Sequence, residues 1–172
     1  MASSQLAAVL ARVVLVVMAL GAVGLALAFR EGGLRIPDRW APWVPLQIAA
    51  EPNLLTRYKL SALSGDDELC HDVLATAGMT YERLTDRETG EACGFHNAVR
   101  IERTSASIET PFALTCRAAV SLALWERHVL QPAAQKYFQL PVAKLEHFGS
   151  YSCRNVYNRP EATRSRHATA EA

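Results

Sequence analysis

The sequence predicts an α+β fold behind a single membrane-spanning helix, with helices packed on a small antiparallel sheet. Three observations lead there. Residues 13–29 run without a charge between Arg12 and Arg30. Around Val99 the chain alternates apolar and polar residues, as a half-buried strand does. Two other stretches open on helix-start chemistry and continue with apolar residues at helical spacing.

The first element is "VVLVVMALGAVGLALAF", residues 13–29. A helix of that length covers about 25 Å, the short end of a membrane crossing. It has no polar face, which argues against a buried soluble helix. Two readings stay open. One is an uncleaved anchor that makes the membrane a partner through residues 13–29. The other is an export signal, because Ala26-Leu27-Ala28 has the A-x-A pattern of a cleavage site.

Residues 30–53 hold four prolines and two tryptophans and read as a linker. Trp40 and Trp43 fit either a membrane interface or packing on the domain. The folded domain is expected over residues 54–172. Ser64, the acids behind it and Gly78 bound a helix whose apolar face is Leu69, Val73 and Ala77. In the strand that follows, Val99 and Ile101 face one side, Arg100 and Glu102 the other. Thr110-Pro111 reads as a second helix start, with Leu114, Ala118, Leu122, Trp125 and Val129 on its core face. Pro132 opens a further turn. A strand is expected over residues 142–148, a turn at Gly149-Ser150, and a polar loop to Arg166.

Composition narrows the function. The formal net charge is +1, so no field draws the chain to nucleic acid. Arg154, Arg159, Arg164 and Arg166 lack interleaved aromatics and read as a solvated loop. Cys70, Cys93, Cys116 and Cys153 form no C-x-x-C pair, which disfavours a zinc ribbon. Four scattered cysteines beyond an export or membrane segment fit disulfides in an oxidising compartment. Buried free thiols are the other reading. Of the three pairings, that of sequence neighbours, Cys70–Cys93 and Cys116–Cys153, is the expectation. The basic residues Arg30, Arg35 and Arg39 would by the charge rule stay in the cytoplasm. The cysteines argue the opposite, and the expectation is an inner-membrane anchor with the domain in the periplasm.

Four stretches carry a resemblance: "IPDRWAPWVPL", "TCRAAVSLALWERHVLQPAAQKYF", "GSYSCRN" and "SRHATAEA". They resemble the bacterial extensin-like protein C-terminal domain family, which is similar to zinc D-Ala-D-Ala carboxypeptidases and endopeptidases acting on peptidoglycan. The shared motif there is S-x-H-x-x-G-x-A-x-D, with a further His ligand from a downstream H-x-H. The resemblance implies that Ser165 and His167 match the motif's Ser and zinc-binding His, and Ala172 its Ala. Ala170 stands at the Gly position. The Asp would fall two residues past Ala172. A catalytic zinc needs three protein ligands and an open position for water. Zinc is therefore a cofactor expected of the intact protein only, and this chain is expected to be inactive and to bind none tightly. By the same resemblance Arg154 is a candidate substrate or oxyanion contact, Ser165 a residue that steadies the His167 loop, and peptidoglycan a partner. A non-catalytic cell-envelope binding or structural domain is the alternative. The remaining histidines, His71, His96, His128 and His147, read as isolated surface or core residues, with His147 nearest the cleft by sequence.

Overall fold

The computed structural model of the chain describes every residue except Met1, Glu31, Gly33, Leu34, Glu91 and Ala172. Two compact units divide between Asp38 and Arg39. The first contains helix α1, Ala2–Arg30. Within it Val9–Ala28, 20 residues of mean hydropathy 2.5, is long and apolar enough to cross a membrane. The described side chains from Val9 to Leu27 are exposed, as suits a lipid-facing surface. An anchor and an export signal both fit this helix.

The second unit is mixed helix and sheet. Its elements are α2 (Thr56–Ala62), α3 (Asp67–Ala75), β1 (Thr80–Arg83), β2 (Arg87–Gly90), β3 (Cys93–Phe95), β4 (Ala98–Arg103), β5 (Ser107–Thr115), α4 (Cys116–Trp125), α5 (Gln131–Phe138) and β6 (Lys144–Leu145). The main sheet runs β1-β4-β5-β6. Its first three strands are antiparallel, and the two-residue β6 lies parallel to β5. β2 and β3 form a separate antiparallel pair. Gly94 permits this pairing, because at its φ of +146° a Cβ would lie 2.1 Å from the Arg87 carbonyl oxygen.

The core lies where α3 and α4 cover the sheet. Val99 and Ile101 of β4 are fully buried while Arg100 and Glu102 face out, as the alternation predicts. From α3, Val73 and Leu74 are buried, with Leu69 and Ala77 packed against the cluster. Each such side chain contributes about 1.5–3 kcal/mol when fully buried. Leu46 and Ile48, in the stretch expected to be linker, also belong to this core. The compact unit that contains them runs from Arg39. His128 Nε2 ties the segment down by donating to the Ile48 carbonyl at 2.8 Å.

Several local expectations are corrected. Ser64 does not cap α3; Asp66 does, its carboxylate accepting from Leu69 N at 3.0 Å. Thr110-Pro111 does not start a helix but lies within β5. The β4–β5 register jumps from Ile101↔Phe112 to Arg103↔Ser107, so Pro111 falls in a bulge, where its missing N–H breaks no ladder bond. The helix starts later, with Thr115 as its cap. Of the expected core face, Leu114 is buried and Ala118 and Leu122 pack against the core, but the helix centres its buried side on Cys116, Ala119, Val120, Ala123 and Leu124, and Trp125 and Val129 are exposed. Small alanines let α4 approach the sheet closely, which a Trp-bearing face would prevent.

The strand expected over residues 142–148 shrinks to Lys144–Leu145. Val142 instead exchanges two hydrogen bonds with the Gln131 side chain, at 2.9 and 3.1 Å. The disulfides do not join sequence neighbours: the bonds are Cys70–Cys116 and Cys93–Cys153. The antiparallel strands between α3 and α4 return the chain to its starting layer, so Cys70 meets the first residue of α4.

Between α4 and α5 the helix widens to a π-turn at Glu126–Leu130. Glu126 is only 3 % exposed. Its Oε1 accepts from Thr104 Oγ1 at 2.7 Å, Ser105 Oγ at 2.6 Å and Ala106 N at 3.2 Å. One carboxylate thus satisfies the donors of the β4–β5 turn.

His71 of α3 is buried, and its Nδ1 has no hydrogen-bond partner. Burial, and after it the Arg83 guanidinium, holds its imidazole below the ordinary value of 6.5; a bond to Asn97 and the nearby Glu68 and Asp67 oppose this. A depressed histidine takes up its proton more readily in the unfolded chain. Its stabilising contribution is therefore complete above pH 6.5 and is lost as pH falls below it, with a slope of at most about 1.4 kcal/mol per pH unit. Melting the full chain at mildly acidic and neutral pH is expected to show a larger drop for the native sequence than for His71→Gln. Equal drops would refute this account.

Candidate functional site

"GSYSCRN" and "SRHATAEA" stand far from the α3–α4 core in sequence, yet their backbones are bonded to one another. Ser152 N donates to the His167 carbonyl at 2.9 Å, Ser165 N to the Arg154 carbonyl at 3.0 Å, and Val156 N to the Thr163 carbonyl at 2.9 Å. An antiparallel bridge between Asn155 and Arg164 completes the pairing. Asn155 Nδ2 closes the turn by donating to the Arg159 and Pro160 carbonyls. Cys153, between Ser152 and Arg154, fastens the arrangement to β3 through Cys93.

Ser165 caps a short 3-10 turn, Arg166–Thr169, its Oγ accepting from His167 N at 3.3 Å. His167 Nδ1 lies 3.2 Å from the Ser150 carbonyl, and Ser150 is itself buried and bonded through Oγ to the Ala113 carbonyl of β5. The ring is thereby oriented from the sheet side. Ala170 follows in the left-handed region, φ 54° and ψ 33°. This is the position where the resembling motif carries glycine, and alanine there costs about 1 kcal/mol. Opposing that cost, Ala170 is fully buried beside Phe95 and Ala98, and its carbonyl accepts from Thr115 N at 2.9 Å. Ala172 lies outside the described residues.

An open cleft of about 560 Å³ results, lined by His147, Phe148, Tyr151, Ser152, Arg154 and His167. The structure therefore brings together Arg154 and His167, and adds His147, Tyr151 and Ser152, which the motif reading did not select. Ser165 and the four cysteines support the cleft or the core and do not line it. Among the described lining residues there is no Asp or Glu, so the cleft favours an anion. A second hollow of about 250 Å³ mixes Asp67 and Glu171 with Arg117 and has no such preference.

The donors do not fit a catalytic zinc. Among the described residues no three His, Cys, Asp or Glu side chains gather at one point. His147, the nearest candidate partner of His167, has both ring nitrogens engaged: Nε2 donates to the Thr110 carbonyl at 2.6 Å, and Nδ1 accepts from Gly149 N at 2.9 Å. Of the others, His96 is bonded to Asp86, His128 to Ile48, and His71 is buried. What the cleft offers is a guanidinium, hydroxyls and an imidazole beside two aromatic rings, donor chemistry complementary to a carboxylate.

No curated protein and no solved structure matches the chain. The family model described as extensin-like protein C-terminus matches residues 68–172, more than half of the chain and all of the cleft. The chain belongs to the extensin-like C-terminal family.

Proposed function

We propose that this is a membrane-anchored cell-envelope protein whose folded unit lies on the periplasmic side of an inner membrane and binds peptidoglycan peptides in the Arg154 cleft. The observation that carries this reading is the meeting of Arg154 and His167 in one cleft free of described carboxylates. A peptide stem ends in a carboxylate, which a guanidinium recognises through two parallel hydrogen bonds. Tyr151 and Phe148 give its apolar side chains a surface. The apolar helix and two disulfides support the placement. Peptidase-like hydrolysis is the less supported reading, because among the described residues no group of three candidate zinc ligands forms, at His167 or elsewhere.

Co-sedimentation of the detergent-solubilised full chain with purified peptidoglycan tests the proposal. Arg154→Ala is expected to weaken binding about tenfold or more, the loss of a charged hydrogen-bonded contact. Undiminished binding by that variant would sink the role of Arg154. Zinc-dependent release of D-alanine by the chain would replace the binding reading with the peptidase one.

A further inference from the structure

Neither the core nor the cleft accounts for the surface around Trp40 and Trp43. The two rings bracket Ala41, which is 2 % exposed, yet Trp40 is 43 % and Trp43 73 % exposed. The backbone beneath them is fixed. Val44 N donates to the Ala41 carbonyl at 3.2 Å, and Asn53 Nδ2 to the Arg39 carbonyl at 2.8 Å. Asn53 Oδ1 in turn accepts from Leu55 N at 2.8 Å. This holds Leu54, 91 % exposed, beside Trp40 on a shallow hollow shared with Arg39, Glu51 and Pro52. Indole and isobutyl groups presented to water on a rigid turn mark a contact surface.

We infer that this face, carrying Trp40 and Leu54, rests in the headgroup layer of the bilayer that α1 crosses. The inference rests on the membrane-anchor reading of α1. Two observations select lipid over a protein partner. The chain from Arg30 to Arg39 reaches at most about 30 Å even when fully extended. The face is thus tethered near the membrane at a millimolar effective concentration, where a weak interfacial preference suffices. The chemistry also suits the interface, where tryptophan buries its ring and leaves its N–H wet. Arg39 is paired with Glu51 at 3.6 Å, so the apolar groups, and not net charge, provide the attraction.

The test uses the full chain in phosphatidylcholine vesicles with and without brominated acyl chains. Of the three tryptophans, Trp40 is kept alone by Trp43→Phe and Trp125→Phe. Its emission is expected to fall about twofold in brominated vesicles, as for a ring at the acyl boundary. A reporter chain with all three tryptophans replaced by phenylalanine and Tyr157→Trp should stay bright. If Trp40 dims no more than that reporter in chains that float with the vesicles, this inference is overturned and the anchor stands. If the chain does not float, both fall.

Discussion

Replacing Cys70 and Cys116 together by alanine is expected to lower the stability of the folded unit by about 4 kcal/mol. The bond closes a loop of 46 residues. Cross-linking over that separation removes roughly 13 cal/mol/K of chain entropy from the unfolded state. Both sulfurs lie in the core, Cys70 at 0 % and Cys116 at 1 % exposure. The substitution therefore also leaves two small voids between α3 and α4, which adds to the loss. Since a domain commonly has only about 5–15 kcal/mol in total, the variant should melt far earlier. Denaturant titration of the full chain under oxidising conditions checks this; a loss below about 1 kcal/mol would refute the entropic account. The Cys93–Cys153 bond closes a longer loop, of 60 residues, but it holds the cleft segment. Its removal should weaken cleft binding along with stability.

Truncating Glu126 to alanine is expected to cost about 3 kcal/mol. The carboxylate is buried, and three donors converge on one of its oxygens. Without it, Ser105 Oγ loses its short bond, Thr104 Oγ1 and Ala106 N fall back on the 3.2 Å contacts that they make within the turn, and a cavity opens beneath the β4–β5 turn. Glu126→Gln keeps an acceptor oxygen and the volume but loses the charge, so it should cost roughly half as much. Thermal melts of the two variants check the order. If glutamine proves as damaging as alanine, the charge and not the acceptor geometry governs the site.

Much of the α+β layout was legible because burial periodicity is local. Val99 and Ile101 alternate with charged residues, and Leu69, Val73 and Ala77 recur at one helical turn. α4 was misplaced because two capping signals compete. Thr110-Pro111 has the stronger local chemistry, but sheet pairing through Phe112 and Leu114 extends β5 to Thr115 and delays the helix. Tertiary pairing overrode a terminus signal, and the core face turned with it. The disulfides were illegible for a related reason: the chain returns on itself between α3 and α4, so distance along the sequence says nothing about which sulfurs meet.

At the candidate site, Arg154 and His167 were reached only through a resemblance. No periodicity reveals that two irregular segments pair. His147 is the histidine that the sequence places nearest the cleft, and it lines it; Tyr151 is missed because its placement depends on Phe95 of β3, remote in sequence. Ala170 is different. Its backbone takes the left-handed conformation that favours glycine, with alanine in place.

The segments carrying Arg154 and His167 are joined through main-chain amides and carbonyls, which every residue but proline supplies in full. At position 154 the frame is consequently indifferent to the side chain, whereas His167 also reaches the Ser150 carbonyl through its ring. Substitutions at position 154 should leave the cleft formed, so their effects report on the guanidinium and not on the fold.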